Sequence, residues 1–504
     1  MGNKKSNESK ALETTSLVQS QSKSAQKKAS HASNTPQVKK GDGGSNVVVN
    51  FLCIAMFFGA CAHGFFIIPT TSVVEDILCR QYYREEVNTG TWLSVDSSDL
   101  KCKENSIQSN LALILAVRDS LQAGVGVFAS LPWGIAADRL GRKSVIALGL
   151  AGLALSQLWF MLVAWFPGYF PVESLWLGSA FLLLGGGDAV LGAICFSMIA
   201  DVTTESTRAA AFMRLIIASH TASFVAPALA SVMMEIRGPW LCLVASCSIL
   251  TFLGIATVLF LPEAGGPKGK HAPAAKTGTG FRSAVETGMK ELWASTHLYS
   301  VALLLLTFIG TVPGVHSTGS FMTQFASKRY EIKLSQAGYI QSIYSCATVT
   351  VCLAILPSVS KLVMRSEVPQ FLRPSSESRR DLLLAQWSFA CLTVGSLVCA
   401  ISAVLPTFML GLLISALGTG NSSLVRSLCS LYVSTDLRSS LYTFMGIVEF
   451  LVAFVSHPSL AFLFSKGMHL GDGWVGLPYF GVAVVCFLAW VMLNFVKPPP
   501  AKPK

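Results

Sequence analysis

The ten residues Gly134-Ile135-Ala136-Ala137-Asp138-Arg139-Leu140-Gly141-Arg142-Lys143 form a short, charged connection between two long apolar segments. Gly141 permits a tight turn and Gly134 permits a close approach of helices, because glycine has no Cβ atom. Asp138 is suited to accept hydrogen bonds from backbone amides at a helix N-terminus. Basic residues alone would only hold the loop on one side of a membrane, which explains neither Asp138 nor the glycines. We therefore interpret the stretch as a structured loop between two helices.

The composition is that of a membrane protein. Hydrophobic residues make up 52% of the 504 residues and charged residues 13%, whereas soluble domains carry about 25% charged residues. The mean hydropathy is +0.55. The apolar residues form runs long enough for helices to cross roughly 30 Å of hydrocarbon. The sequence predicts twelve membrane-spanning helices, spans 1 to 12 in chain order: Val47–Pro69, Ser109–Trp133, Ser144–Phe166, Leu175–Ile199, Ala209–Met234, Trp240–Leu261, Tyr299–Phe321, Leu334–Leu362, Leu382–Leu405, Thr407–Tyr432, Ser439–Phe464 and Trp474–Val496.

The distribution of lysine and arginine predicts the orientation. Of the 38 such residues, nine fall in loops on one side of the predicted membrane, and nearly all the others lie on the side that carries both termini. Because cytoplasmic loops retain basic residues, both termini are expected in the cytosol. The same rule leaves open whether the membrane is the plasma membrane or that of an organelle such as a vacuole.

Composition also divides the chain into five parts. Two are predicted six-helix bundles, and the rest are polar segments too poor in apolar residues to form a core. The parts are a disordered cytoplasmic tail (1–46), an N-terminal bundle (47–261), a cytoplasmic linker (262–296), a C-terminal bundle (297–496) and a cytoplasmic C-terminal tail (497–504).

The loop from Gly134 to Lys143 resembles the signature loop between the second and third helices of the major facilitator superfamily of secondary transporters. Further features look like those of fungal-type members: Asp201-Val202 followed by Arg208, Gly185-Gly186-Gly187 within span 4, and Trp474 to Pro478 at the start of span 12. The resemblance implies an all-α fold of two six-helix bundles with a substrate site between them near the midplane.

Span 5 departs from one branch of that superfamily. It carries Ala226-Pro227 with Ala230-Ser231, where drug/proton antiporters typically have Gly-Pro followed by Gly-Gly. The departure weakens the assignment to that branch, although small residues at these positions still allow close packing.

In proteins that the chain resembles, the signature loop is a latch that joins the two halves on the cytosolic side and releases when the carrier opens inward. The resemblance assigns this role to Gly134, Asp138, Arg139, Gly141, Arg142 and Lys143. The expected partners are Asp201, Glu205 and Arg208 after span 4, and Asp436 and Arg438 before span 11. For Arg142 and Lys143 the alternative is a topological role only.

Four charged residues lie within predicted spans, where each costs about 2.5 to 3.5 kcal/mol on insertion scales and is therefore a functional candidate. They are Arg118, Asp119, Asp188 and Glu449. Arg118 and Gln122 are one helical turn apart and are candidate ligands for an anionic or polar substrate. Alternatively, Arg118 forms a structural pair with Asp188 or Glu449.

Proton coupling requires a group that exchanges a proton as its exposure alternates, and Glu449 and Asp188 are the first candidates. His63, Asn421 and Arg426 are further cavity candidates. His63, His220, His316 and His457 lie in or near spans, but a single membrane histidine is more often a packing residue that makes a hydrogen bond.

Of the thirteen cysteines, eleven fall in spans, where cysteine behaves as a small apolar residue. Cys79 and Cys102 remain, in a loop predicted to face an oxidising compartment, so they form a candidate disulfide. Neither their spacing nor nearby histidines indicate zinc.

The sequence thus predicts a secondary transporter of a small organic solute or xenobiotic that uses a proton gradient rather than a cofactor. Its expected partners are the lipid bilayer and the small-molecule substrate; no nucleic acid is needed and a monomer is expected. The alternatives are a nutrient sensor on the same fold that does not transport and a membrane-embedded enzyme. The sequence contains no hydrolase, metalloprotease or ATP-binding motif, which disfavours the enzyme and an ATP-driven pump.

Overall fold

The computed structural model describes residues 42–87, 100–262, 298–363, 377–432 and 438–496. In this part of the chain, every regular element is helical and twelve helices are long and apolar enough to cross a membrane. These observations confirm the predicted all-α fold with twelve spans. The predicted tail 1–46, the linker 262–296 and the C-terminal tail 497–504 lie almost wholly outside the described residues.

Each predicted apolar run has its helix. In the first half the helices are Asp42–Val87 (span 1), Asn105–Leu140 (span 2), Arg142–Trp165 (span 3), Val172–Leu183 with Gly187–Val202 (span 4), Glu205–Arg237 (span 5) and Pro239–Phe260 (span 6). In the second half they are Leu298–Leu306, Phe308–Ser317 and Ser320–Arg329 (span 7), Leu334–Thr350, Val351–Ile355 and Leu356–Val363 (span 8), Glu377–Ile401 (span 9), Leu405–Ala416 with Asn421–Leu431 (span 10), Arg438–Leu470 (span 11) and Leu477–Asn494 (span 12).

Span 1 continues well beyond the predicted end at Pro69, so that boundary is wrong. The helix runs to Val87 with Pro69 in its interior. The reason is packing: Val73, Val74 and Ile77 are buried in an apolar cluster that also contains residues of spans 2 and 3. Burial of Val73, Val74 and Ile77 stabilises the turns of helix that follow Pro69. Those turns are too polar for the sequence alone to indicate that they belong to a span.

Span 4 is broken where a single helix was expected. A 3-10 helix covers Val172–Leu183, and an α-helix begins at Gly187. Gly185, Gly186 and Gly187 have φ of +78°, +82° and +67°, a region that residues with a side chain rarely adopt. The indole Nε1 of Trp133 donates a hydrogen bond of 2.7 Å to the carbonyl of Leu183, which compensates one backbone group released by the break.

At the break, the backbones of spans 3 and 4 come into contact, and a substitution at Gly185 tests how much this contact contributes to stability. A Cβ at Gly185 would lie 2.2 Å from the backbone nitrogen of Gly149. We expect Gly185→Ala to destabilise the protein by about 2 to 4 kcal/mol, from the positive φ and from overpacking. The apparent melting temperature of the purified protein in detergent measures this effect.

Gly192→Ala is the matched control. Gly192 lies in the interior of the following helix, with no atom within 4 Å of its missing Cβ. The alanine should be neutral or stabilising by about 0.5 to 1 kcal/mol. If Gly185→Ala melted at the wild-type temperature, the backbone contact would not be important for stability.

Small residues on span 5 also face close neighbours. The Cβ of Ala226 would lie 2.7 Å from a Cβ placed on Gly64 of span 1, and the hydroxyl of Ser231 would lie 2.1 Å from one placed on Gly338 of span 8. Span 5 therefore packs closely against both halves of the molecule, although it lacks the antiporter-type glycine pattern.

The two halves are joined through span 2. Ala112 and Ala116 of span 2 belong to the same buried cluster as Phe325 and Phe464 of spans 7 and 11. Larger apolar clusters stabilise each half separately. The space between the halves near the middle of spans 2 and 11 is therefore the part of the fold in which a site can form.

Candidate functional site

A cavity lined by both polar and apolar residues lies between the two halves. It is partly open, and the space not filled by atoms is about 460 Å³ with open solvent included. Spans 1 and 2 line one side, and spans 7 and 11 line the other. The lining residues are Ile67, Thr71, Ala112, Leu115, Ala116, Arg118, Asp119, His316, Phe321, Gln324, His457, Leu460 and Ala461.

Arg118 and Asp119 supply the charges of this cavity. The Nε and Nη2 atoms of Arg118 donate hydrogen bonds of 3.0 and 2.8 Å to Oδ1 of Asp119. Arg118 is 9% exposed, and its guanidinium carbon lies 5.8 Å from the ring centre of Phe66. Its Nη1 is buried and has no hydrogen-bond partner among the described residues. A buried cationic donor in this state favours an acceptor that enters the cavity.

His316 and His457 meet across the cavity. Their ring centres are 3.8 Å apart, with the planes inclined at 48°. Nδ1 of His457 lies 2.8 Å from the carbonyl oxygen of Ala453. Since a carbonyl only accepts, Nδ1 carries the hydrogen and Nε2 is left as the basic nitrogen of the neutral ring. In the sequence each of these histidines is typical of a single packing residue, and only the fold brings the two rings together.

The end of the molecule that carries the bond between Cys79 and Cys102, here called the disulfide end, is closed by a buried ion pair. Lys103 Nζ donates to Glu75 Oε1 at 2.6 Å and to Ser327 Oγ of span 7 at 2.7 Å. Gln108 Nε2 donates to the same Glu75 oxygen. Lys103 therefore connects the first half to the second.

Further hydrogen bonds between the halves lie at the same end. Gln324 Nε2 donates to the carbonyl of Gln108 at 3.0 Å, and Lys328 Nζ donates to the carbonyl of Lys103. Lys328 lies beyond Tyr299–Ser317, the apolar stretch of span 7 that can cross the membrane. Burial lowers the pKa of its ammonium group and so does nearby Lys103, whereas Asp472, Glu331 and Glu104 oppose this shift. These contacts hold the two halves together between the cavity and the disulfide end.

Spans 2 and 11 extend this closure toward the cavity. Asn105 Nδ2 donates to the carbonyl of Met468 at 3.2 Å, and the hydroxyl oxygens of Ser109 and Ser465 are 2.5 Å apart. Past the cavity, on the side away from the disulfide end, Ser120 Oγ donates to the carbonyl of Phe454 at 3.1 Å. The contacts of Asn105 and Ser109 thus separate the cavity from the disulfide end, and spans 2 and 11 also stay in contact on its other side.

The disulfide positions the lysine of this closure. Cys79 and Cys102 are bonded, with their Cα atoms 5.3 Å apart, and both are fully buried. Cys102 directly precedes Lys103, and Cys79 lies one helical turn beyond Glu75. The covalent link therefore holds the short segment before span 2 against the end of span 1, where Lys103 reaches Glu75.

At the opposite end, here called the loop end, the signature loop is shorter than expected. Gly141 alone separates the helices of spans 2 and 3, at φ +93°. Arg142 Nη1 forms an ion pair with Asp201 Oδ2 at the end of span 4. Arg208 Nη2 donates to the carbonyl of Ala200 at 3.3 Å. These contacts stay within the first half.

In the part of the chain that the structure describes, the other residues of the signature loop make no contact with the second half. Arg139 is exposed, and Lys143 is half-buried in the first turn of span 3. No atom lies within 4 Å of a Cβ placed on Gly134, so the close helix approach expected there is wrong for this conformation. The side chains of Asp138, Glu205 and Arg438, and the whole of Asp436, lie outside the described residues.

The other charged candidates lie outside this cavity. Glu449 Oε2 is 2.5 Å from Nη2 of Arg426, an ion pair that joins spans 10 and 11. The alternative pairing of Arg118 with Asp188 or Glu449 is therefore wrong, because Arg118 bonds its neighbour Asp119 instead. Asp188 is exposed in the first turn after the span 4 break.

The uncharged candidates are distributed around the cavity rather than in it. Asn421 is buried at the start of the second helix of span 10, and its Nδ2 donates to Thr311 Oγ1 of span 7 at 3.3 Å. Gln122 is half-buried one turn beyond Arg118, and His63 is exposed on span 1. Neither Gln122 nor His63 lines the cavity described above.

Comparison with known proteins gives consistent matches. A family model described as Major Facilitator Superfamily matches residues 109–457. The chain is 28% identical over 438 residues to the MFS-type transporter aprT of Aspergillus flavus, which covers 86% of this chain and 84% of that one. It is 28% identical over 448 residues to the MFS efflux pump atnC of Emericella nidulans, covering 85% and 84%. A solved D-xylose-proton symporter has a TM-score of 0.61 at 12% identity, covering 90% of this chain and 99% of that one.

Proposed function

Because the chain belongs to the major facilitator superfamily and is a transmembrane transporter, we propose that it moves a small organic solute by alternating access, coupled to protons. The observation that supports this most directly is the cavity between the halves, which is sealed at the disulfide end. In the described residues, the signature loop bonds only within the first half. Polar contacts between the halves are thus concentrated at the disulfide end, which supports a carrier whose disulfide end is closed.

The same observations support an orientation. Disulfides persist in oxidising compartments, so the disulfide end is assigned to the outside of the cell or to an organelle lumen. The loop end, which carries Arg142 and Lys143, is then cytosolic, as basic residues favour. Both termini are assigned to the cytosol with it, and the carrier is proposed to work as a monomer.

Reconstitution tests the transport proposal. Purified protein in liposomes with an imposed pH gradient is screened with labelled organic solutes, and counterflow of the labelled solute is measured. A carrier exchanges internal for external solute, whereas a sensor on the same fold binds without counterflow. Binding without exchange for every bound solute would refute the proposal.

The signature loop gives a second prediction. We propose that Arg142 and Asp201 belong to a latch that forms with the second half when the loop end closes. Reversing either charge, as in Arg142→Asp or Asp201→Arg, is expected to lower the exchange rate about fivefold or more, since coupling energies between sites are typically 1 to 3 kcal/mol. The double reversal should recover most of the rate.

Lys466→Glu is the control for this experiment. Lys466 is an exposed residue of span 11 toward the disulfide end, so its reversal changes the net charge by the same amount as Arg142→Asp without affecting the loop. Exchange at the wild-type rate in both single loop variants would mean that Arg142 and Asp201 act on topology only.

A further inference from the structure

We propose that the central cavity binds a small organic anion, of the type of a carboxylate with an apolar body, together with one proton on the His316–His457 pair. The proposal deepens the proposed transport function and rests on it for its role in the cell. In this proposal the histidine pair carries the proton, and Glu449 and Asp188 do not. Four observations support it.

The first observation is the unsatisfied donor. Arg118 lines the cavity, is nine-tenths buried, and uses Nε and Nη2 on Asp119. Its Nη1 has no partner in the described part of the chain. Burial of an unsatisfied charged donor is costly, and a carboxylate oxygen is the acceptor that a guanidinium binds best. Arg118 thus binds Asp119 on one side and offers one donor to a ligand.

The second observation is the charge balance. Arg118 and Asp119 are the charged residues that line the cavity, and their charges cancel. With both imidazoles neutral the lining carries no net charge, so a bound anion would leave one unpaired negative charge in a largely dry site. One proton on the histidine pair makes the lining +1, which a monoanion neutralises.

The third observation limits the proton number to one. The two imidazole centres are 3.8 Å apart, and two positive charges at about 4 Å repel by about 4 kcal/mol even at an effective dielectric constant of 20. His457 has its Nδ1 hydrogen fixed by the Ala453 carbonyl, so Nε2 is the nitrogen that gains the proton on this ring. The pair therefore behaves as one site that alternates between zero and one positive charge.

The groups that surround the pair do not supply a competing charge. Span 2 contributes Arg118 and Asp119, which cancel, and the part of span 7 beyond His316 contributes the amide of Gln324. From span 12, the hydroxyl of Tyr479 donates to the carbonyl of Ser317 at 2.8 Å. Glu449 lies two helical turns from His457 along span 11 and is paired with Arg426.

The fourth observation concerns the apolar part of the ligand. Ile67, Leu115, Phe321 and Leu460 line the cavity beside its polar groups. The lining therefore places apolar side chains and the polar groups of Arg118, His316 and His457 around the same space. An amphipathic ligand with one anionic group and a compact apolar body matches both parts of the lining.

The test uses the full-length purified protein with benzoate, 4-phenylbutyrate and octanoate as probes, compared with the corresponding amides and amines. Binding is followed by thermal stabilisation, and proton uptake by a pH dye in weak buffer. We expect the carboxylates to bind at least about tenfold more tightly than the amides or amines. Roughly one proton should be taken up per anion bound, and the affinity should therefore fall as the pH is raised.

Variants assign these effects to residues. Arg118→Gln should abolish the preference for carboxylates, whereas Arg380→Gln should retain it. Arg380 is the matched control because it bonds Asp381 with the same 3.0 and 2.8 Å distances but does not line the cavity. The double variant His316→Asn/His457→Asn should abolish proton uptake, while His469→Asn, an exposed residue on the same helix as His457, should retain it.

The outcomes that overturn the proposal are distinct from those that overturn transport. Equal binding of amide or amine, no binding of any carboxylate, or no proton uptake by the wild-type protein would overturn it, even if a histidine variant fails to fold. So would proton uptake that persists without both histidines or is lost in Glu449→Gln or Asp188→Asn. Anion binding with proton uptake but no exchange in liposomes would refute the transport function and leave the site assignment intact.

Discussion

Oxidation of a Ser109→Cys/Ser465→Cys double variant is expected to stop solute exchange almost completely. The two hydroxyl oxygens are 2.5 Å apart across spans 2 and 11, so sulfur atoms in their place lie within bonding reach. A covalent bond here would prevent the disulfide end from opening, and alternating access requires that opening. We expect exchange in liposomes to fall at least about tenfold on oxidation, as it does when gating is rate-limiting, and to recover on reduction.

The two single variants are the controls, because each leaves one new thiol without its partner and the free native cysteines unchanged. Wild-type protein treated with the same reductant shows how much of the recovery comes from the native disulfide. If the oxidised double variant exchanged solute at the rate of the single variants, the contact between Ser109 and Ser465 would not open during the cycle, and the proposed gate would be wrong.

Lys103→Met is expected to have the largest effect on stability. Lys103 and Glu75 form an ion pair whose carboxylate side chain is 2% exposed. Removing the lysine leaves a buried carboxylate without its counter-charge, which costs about 3 to 5 kcal/mol. The variant should show a large fall in melting temperature in detergent and a weaker seal at the disulfide end. The seal is measured as faster labelling, by an impermeant reagent added from that end, of a cysteine placed at Ala112, which lines the cavity.

A double variant separates the cost of an isolated charge from the value of the pair. Glu75→Leu combined with Lys103→Met removes both charges and should recover most of the lost stability, because a buried ion pair is often worth little more than an apolar replacement. Arg80→Met is the matched control, since Arg80 pairs with Asp76 at the same end but is 48% exposed and should cost about 1 kcal/mol or less. A Lys103→Met variant as stable as Arg80→Met would show that the pair does not stabilise the fold.

Much of the fold could be predicted because it depends on local chemistry. Runs of apolar residues determine the twelve spans, and the lack of a Cβ accounts for the single-residue turn at Gly141. Buried polar side chains are harder to place. Glu75 follows the apolar run of span 1 and was assigned to a loop, because the sequence does not show which surface the next turns of helix will cover.

The centre of the site could be predicted only in part. Arg118 and Asp119 stand out in the sequence, since charge within a span is costly, and both line the cavity. The importance of His316 and His457 depends on the distance between them, which is set by how spans 7 and 11 pack. Each residue alone resembles an ordinary packing histidine. The Arg426–Glu449 pair was missed for the same reason, because it joins two spans.

The break in span 4 has a mechanical consequence. Gly185 to Gly187 divide the span into two short rods, and span 10, its counterpart in the second half, is likewise divided between Ala416 and Asn421. The rod nearer the loop end carries Asp201, which pairs with Arg142 at the start of span 3, and it is joined to the other rod only through the three glycines. A change of angle at these glycines would therefore displace the loop end of span 4 without unfolding either rod, and the break in span 10 offers the second half the same freedom.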